Sequence, residues 1–175
     1  KNLYKYLIEN RKHEVKGWHD AYREFYGQVG QIRERIQAGE SISQSDEAFL
    51  KQLLYEKSNG IASRGQSVLS NENFLSFIKD KDFISSLEQF ILTPTKDAFR
   101  KFEDAWSAQG KSNNPVLVNR VAAACTLEVS TTVDSGKFNQ VFSWLIREGI
   151  VPTYPAEKDQ DWFSKNLFLL KIIKD

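Results

Sequence analysis

The stretch "VKGWHDAYREFYGQVGQIRERIQAG", residues 15–39, decides the fold class because its apolar side chains recur at helical spacing. Alternating steps of three and four residues place seven of them on one stripe of a helix: Val15, Trp18, Tyr22, Phe25, Val29, Ile32 and Ile36. We predict one long helix that buries this stripe and ends near Gly39, the residue type that most often follows a helix. Gly27 and Gly30 inside it predict a kink or a close helix crossing.

The rest of the chain repeats this helical pattern. The stretch "SQSDEAFLKQLLYEKSNG", residues 43–60, predicts a helix that Ser45 caps and Asn59-Gly60 interrupts. Thr95, Asn114-Pro115 and Asp134 or Ser135 mark the starts of further helices. We therefore predict a mainly α fold, a single compact domain spanning residues 1–175 with about eight or nine helices. At most a short strand pair is expected near residues 127–133, where Leu127, Val129, Thr131 and Val133 alternate.

Composition narrows the function classes. The 175 residues include 24 basic and 23 acidic side chains, for a formal net charge of +1. This balance lacks the basic excess of a nonspecific nucleic-acid-binding protein, although it leaves room for a local basic face. The single cysteine, Cys125, excludes a disulfide within the chain and favours a cytoplasmic location. No apolar run approaches the roughly 20 residues that a membrane span needs.

The stretch "GIASRGQS", residues 60–67, differs by one residue from a phosphate-binding P-loop. Gln66 stands where the P-loop lysine belongs, and a helix end rather than a strand precedes Gly60, which argues against a nucleotide site. The loop and the residues just before it still present four side chains that suit contacts to phosphates and base edges: Lys57, Asn59, Arg64 and Gln66. The alternative is a solvated connector with an ordinary surface arginine.

The stretch "STTVDSGKFNQVFSWL", residues 130–145, places Lys137 at the start of a predicted helix, where free N–H groups attract anions. The simpler interpretation is that Asp134 or Ser135 caps this helix, and the two interpretations are compatible. Trp144 follows on the same helix, and its neighbours Val141, Phe142 and Leu145 suit the core. We therefore expect Trp144 to point outward, where it could stack on a flipped base.

Residues with catalytic potential are few and scattered. His13 and His19 lie near the start of the chain, and Cys125 lies in the apolar stretch "VAAACT", which is typical of a small core residue. The S-x-x-K pattern at Ser76–Lys79 lacks its companion motifs. We predict no catalytic residue, no metal site and no cofactor, and hence no enzymatic activity in this part of the protein.

Two long stretches, "LLYEKSNGIASRGQSVLSNENF" (53–74) and "NPVLVNRVAAACTLEVSTTVDSGKFNQVFSWLIREGIVP" (114–152), resemble the region that precedes the motor of bacterial McrB-like AAA+ proteins. The resemblance implies a specificity module of a modification-dependent restriction or antiviral defence system. An AAA+ motor would follow Asp175 in the same chain, and a nuclease subunit would be a further partner. The best-known modules of this family are β-rich, whereas this sequence predicts helices.

The leading hypothesis is accordingly a non-catalytic, cytoplasmic domain that recognises DNA, including DNA with modified bases. Its predicted contact residues are Lys57, Asn59, Arg64, Gln66, Lys137 and Trp144. The alternative is a protein-interaction or sensor module that binds a phage protein or a partner subunit. A local basic face would favour DNA, whereas an exposed apolar patch would favour a protein partner.

Overall fold

The computed structural model describes the backbone of residues 12–110 and 114–174, with side chains from residue 17 onward in those ranges. Eight α-helices occur there: α1 (Lys12–Gln37), α2 (Glu47–Leu50), α3 (Asn71–Lys79), α4 (Lys81–Leu92), α5 (Lys96–Ala108), α6 (Pro115–Cys125), α7 (Ser135–Arg147) and α8 (Trp162–Lys174). A 3-10 turn (Gln44–Asp46) precedes α2, a π-helical turn (Lys51–Tyr55) follows it, and another 3-10 turn (Glu157–Asp159) precedes α8. The predicted mainly α fold is confirmed. Residues 127–133 form an irregular connector, and no strand occurs within the described ranges.

Helix α1 confirms most of the predicted apolar stripe. Phe25, Val29 and Ile32 are buried, while Tyr22 and Ile36 pack against the core from its edge. The prediction for Trp18 is wrong, since this side chain is 67% exposed. Periodicity shows which face of a helix is apolar, but it does not show where the facing helices end. The side chain of Val15 lies outside the described residues.

The prediction of a close crossing at the glycines of α1 is also wrong. A Cβ atom built on Gly27 or Gly30 would meet no heavy atom within 4 Å. These glycines therefore lie where a side chain would fit, and nothing in the structure explains them.

Most helix starts agree with the caps predicted from sequence. The Oγ1 of Thr95 accepts the N–H of Ala98, and the Oδ1 of Asp134 accepts the N–H of Lys137. Two predictions differ. Asn114 stands at the N-cap of α6, but its side chain makes no capping hydrogen bond. Ser45 is wrong, because the cap of the 44–55 segment is Ser43, whose N–H donates to Asp46 in a reciprocal capping box. Two serines two residues apart suit this role equally, and only Ser43 has an acidic residue three positions later.

Helix α6 forms the centre of the domain. All nine residues from Leu117 to Cys125 are buried, including Asn119 and Arg120. The helix packs against α1, against α5 and against the π-helical turn. A helix buried on every side is typical of the middle of a core. Its two polar residues must therefore find their hydrogen-bond partners inside the protein.

Aromatic side chains join α4, α5 and α8 in a second part of the core. Phe90 of α4 packs on Phe99 and Phe102 of α5, with ring centroids 5.7 and 5.8 Å apart. Phe163 of α8 stacks on Phe99 at 4.7 Å. Such pairs stabilise a fold by about 0.5–1.5 kcal/mol beyond the area they bury. They fix α8 against α5, which the sequence separates by more than fifty residues.

Arg33 of α1 ties the ends of two other helices together. Its Nε donates to the carbonyl of Ile91 at 2.7 Å, and its Nη2 donates to the carbonyl of Cys125 at 2.6 Å. Both carbonyls lie in the last turns of their helices, where the backbone has no partner of its own and carries partial negative charge. A guanidinium is suited to both roles because it offers several donors in one plane.

Charged residues cluster where α5 approaches the start of α8. Lys96 forms an ion pair with Asp159, and Nη2 of Arg100 lies 3.8 Å from Asp161. Glu103 is half-buried beside this cluster. Burial, with smaller contributions from Asp161 and Asp104, raises the pKa of Glu103 to about 7.

We expect Glu103→Gln to stabilise the protein at pH 8 by about 1 kcal/mol and to change little at pH 4.5, after discounting for solvent screening. The folded state holds the Glu103 proton more tightly than the unfolded state does, so stability falls as pH rises from about 4.5 through about 7. Urea unfolding of both proteins at the two pH values measures this difference. Glu128→Gln, at an exposed site, is the control. A gain of equal size at both pH values would contradict the assignment.

Candidate nucleic-acid interface

Helix α7 presents a polar face to solvent on the side opposite its buried residues. Phe138 and Phe142 anchor the helix in the core, and Asp134 caps its first turn. Six exposed residues share the outer face at helical spacing: Gly136, Lys137, Gln140, Ser143, Trp144 and Arg147. A shallow groove of about 470 Å³ follows this face. Of the predicted contact residues, Lys137 and Trp144 are both exposed on this face, and Trp144 lines the groove.

The outer face of α7 carries two cations, Lys137 and Arg147, and no carboxylate of its own, while Asp134 and Glu148 flank the helix. No acidic residue occurs from Ser135 to Arg147, although acidic residues are almost as numerous as basic ones in the whole chain. Arg147 is 3.4 Å from Glu148, but this pair is exposed and contributes little. The prediction from sequence omitted Gln140, Ser143 and Arg147. The run of thirteen residues without a carboxylate is the sequence signal that could have identified these three residues.

Trp144 is 45% exposed, which confirms that its ring points outward. The hydroxyl of Tyr154 lies 2.9 Å from the Oγ of Ser143, and its ring packs on Phe142 at a centroid distance of 5.9 Å. This contact holds an exposed aromatic ring beside the polar face. The expectation that Val141 faces the core is wrong, since this side chain is about half exposed, and together with Ile150 it adds apolar surface near the same helix. The region therefore combines cations, amides and aromatic rings.

The predicted contact residues of the 57–67 loop differ in their accessibility. Lys57 and Gln66 are exposed. Asn59 is buried, and its Oδ1 accepts the N–H groups of Ile61 and Ala62, so this side chain shapes the loop. Arg64 is half-buried, and its Nη1 donates to the carbonyl of Ser67. Among these four, Lys57 and Gln66 are therefore the side chains that reach solvent most freely.

Gly60 fixes this loop to α1. Its φ is +79°, and a Cβ atom at this position would lie 2.5 Å from the carbonyl oxygen of Ala21. The N–H of Arg64 donates to the carbonyl of Lys57 at 2.9 Å and closes the loop. The glycine that resembles part of a P-loop is thus needed for close contact between the loop and a helix.

The two described residues with catalytic potential, Cys125 and His19, differ in their exposure to solvent. Cys125 is buried in α6, and burial raises the pKa of its thiol to about 12, so the thiolate is scarce at neutral pH. His19 is exposed on α1. The structure thus gives no geometric support for a nucleophile and base acting together at these two positions.

A cavity of about 620 Å³ lies between residues 41–50 and the corner joining α3 to α4. Its floor is apolar, formed by Ile42, Leu50, Leu75, Ile78 and Ile84. Glu88 at its edge accepts the N–H of Ile42 at 2.6 Å and so holds this segment in place. None of the predicted contact residues lines it.

Comparisons of the chain with family models, with curated proteins and with solved structures find no match in any of the three. The resemblance to the McrB-like region therefore stays a prediction. Of the helices that the structure describes, none combines the length and the apolar character that a membrane span requires. The chemistry of the exposed side chains is therefore the basis on which a function can be proposed.

Proposed function

We propose that this chain is a non-catalytic, cytoplasmic DNA-recognition domain that uses the outer face of α7. The observation that supports this proposal is the set of exposed cations, amides and aromatic rings on that helix, with no carboxylate from Ser135 to Arg147. An α-helix fits the major groove of B-DNA, where base edges present donors and acceptors in patterns specific to each base pair.

The spacing of the residues assigns each a role. Lys137 and Arg147 are ten positions apart, which corresponds to about 15 Å along a helix. Lys137, near the capped start of α7, is placed for a phosphate contact. Gln140 and Arg147 have the donor and acceptor groups that read adenine and guanine edges. The exposed ring of Trp144 offers a stacking surface for an unpaired or flipped base.

The resemblance extends this proposal to the rest of the protein. We infer that the domain is the specificity module of an McrB-like restriction or defence protein, joined to an AAA+ motor and served by a nuclease subunit. Modified bases are the class of target that the resemblance suggests. Lys57, Asn59, Arg64 and Gln66 remain predicted contacts. Of these four, Lys57 and Gln66 have exposed side chains that could bind DNA in addition to α7.

Substitutions on α7 test the DNA interface directly. We expect Lys137→Ala to lower the slope of log K against log salt by about one and to weaken binding to all sequences alike. We expect Arg147→Ala to weaken binding about tenfold or more and to relax sequence preference. Fluorescence anisotropy with unmodified and base-modified duplexes at two salt concentrations measures both effects.

Lys101→Ala, which removes an exposed cation from α5, is the matched control and should leave the affinity within about twofold. If the three variants weaken binding equally, the attraction is general electrostatics and α7 has no special role. If no duplex binds the unsubstituted protein at either salt concentration, the DNA proposal fails.

One observation favours a protein partner as the second candidate. Val141, Ile150 and Tyr154 expose apolar surface beside Trp144, and contiguous exposed apolar surface marks protein interfaces. We propose on this basis that a phage protein or partner subunit is the alternative ligand. Val141→Ser would weaken a protein complex and leave DNA affinity unchanged, so the two candidates predict opposite outcomes for one variant.

A further inference from the structure

Three buried donors without acceptors belong to one segment and to the helix packed on it. Buried side-chain atoms without a hydrogen-bond partner in the described residues are few, and they include Asn59 Nδ2, Arg64 Nε and Arg120 Nε. Asn59 and Arg64 lie in the 57–67 loop. Arg120 of α6 donates to the carbonyls of Leu53 and Glu56, immediately before the loop. Because buried polar groups almost always have partners, donors without acceptors indicate a missing acceptor.

The guanidinium charges of Arg64 and Arg120 also lack a directly paired carboxylate among the described residues. Arg120 is fully buried, and Arg64 lies close enough that its charge disfavours the charged form of Arg120. Neither arginine forms an ion pair with a carboxylate of the described residues. Glu56 lies close enough that its charge favours the charged form of Arg120, but its exposed side chain forms no ion pair with either arginine. Two neighbouring guanidinium groups without a directly paired carboxylate are costly unless an anion binds beside them.

Access to this place is through Arg64. Its side chain is half-buried, whereas Arg120 is fully buried. Lys57 and Gln66 are exposed on either side in sequence. A ligand would thus bind Arg64 directly and interact with the neighbouring charge of Arg120.

We propose that the 57–67 loop, with Arg120 beneath it, forms an oxyanion site that takes a phosphate group. A dianion matches two guanidinium charges, and guanidinium geometry suits phosphate oxygens through paired N–H donors. This site is separate from the face of α7 and does not depend on the DNA proposal. Its phosphate is either a free ion or small phosphorylated ligand, or a backbone phosphate of a nucleic acid.

Nitrogen-15 NMR of the arginine Nε–H groups tests the site without requiring a destabilising variant. Inorganic phosphate is titrated against the intact chain at constant ionic strength, with chloride as the balancing anion. We expect saturable shifts of the Arg64 and Arg120 Nε–H signals. If either of the two signals shows no saturable shift up to about 50 mM phosphate, which is the limit set for weak binding, the proposal is overturned.

Two variants separate specific binding from general salt effects. Arg64→Gln should lower phosphate affinity at least tenfold, because it removes the accessible charge. Arg23→Gln, which removes an exposed arginine from α1, should leave the affinity unchanged. Equal losses in both variants would show that phosphate acts through the overall charge, and the site would be rejected.

A second titration identifies the source of the phosphate. A short DNA duplex that shifts both Nε–H signals near stoichiometric concentration would show that the site holds a backbone phosphate. Shifts with inorganic phosphate alone would show a site for a small phosphorylated ligand. Arg147→Ala separates this site from α7, because it should weaken DNA binding and leave the phosphate titration unchanged.

Discussion

Replacing Gly60 by alanine is expected to destabilise the domain by about 3 kcal/mol or more. The new Cβ atom would lie 2.5 Å from the carbonyl oxygen and 2.9 Å from the carbonyl carbon of Ala21. Both are backbone atoms of α1, so no side-chain rotation relieves the overlap. The φ of +79° adds about 1–2 kcal/mol of strain for any residue with a side chain. Urea unfolding followed by circular dichroism measures the loss.

Gly65→Ala is the matched control for this experiment. Gly65 lies in the same loop with a φ of +58°, but a Cβ atom there meets nothing within 4 Å. Only the backbone strain applies, and we expect a loss of about 1 kcal/mol. Equal losses for the two substitutions would show that the contact with Ala21 does not stabilise the loop.

The helices could be predicted because their signals are local. Apolar spacing in α1, α4 and α5 and the caps at Thr95 and Asp134 depend only on neighbours in sequence. The errors have different causes, since packing with distant segments decides the exposure of Trp18, whereas the choice of cap is local and was missed. Trp18 continues the stripe of α1 but is exposed, and Ser43 is the cap instead of Ser45 because it pairs with Asp46.

The roles of single residues that contact distant segments were harder to predict from the sequence. Gly60 has the spacing of a P-loop glycine, whereas its structural role is to allow the loop to approach Ala21. Arg120 stands in the apolar run of α6, where a charged residue indicates an interior contact without naming the partner. Its acceptors, Leu53 and Glu56, lie more than sixty residues earlier. Such pairings follow from packing and not from any local pattern.

The candidate site was predicted in part. Lys137 and Trp144 are both exposed on α7, and the outward direction of Trp144 followed from the apolar positions around it. Gln140 and Arg147 were missed because uncharged or isolated polar residues on a helix usually indicate only a solvated face. Their significance comes from sharing one face with Lys137 and Trp144 in the absence of carboxylates.

Arg120→Ala is expected to cost about 3–5 kcal/mol of stability. The guanidinium is fully buried, and its donors bind the carbonyls of Glu56 at 2.7 Å and Leu53 at 3.0 Å. These carbonyls end the π-helical turn, where the backbone supplies no partner. Alanine would leave two acceptors unsatisfied and a cavity in the middle of α6. Urea unfolding measures the loss, with Arg23→Ala on the surface as the control.

Arg120→Met separates the contribution of the two hydrogen bonds from that of the volume that the side chain fills. Burial lowers the pKa of Arg120 to about 10, so the fold tolerates a charge that its interior disfavours, although the group stays protonated at neutral pH. Methionine fills most of the volume and removes the charge, but it donates no hydrogen bond. Two bonds from a charged donor contribute about 1.5 kcal/mol each, and we expect Arg120→Met to cost about 2–3 kcal/mol.

A methionine variant as stable as the unsubstituted protein would contradict this expectation. It would mean that removing the buried charge offsets the loss of both hydrogen bonds, as happens when some buried ion pairs are replaced by apolar residues. An intermediate loss, smaller than that of alanine, would show that Arg120 stabilises the fold by bonding Leu53 and Glu56 and that alanine adds the cost of the cavity. The carbonyls at the base of the 57–67 loop would then depend on a buried cation that forms no ion pair with a carboxylate of the described residues.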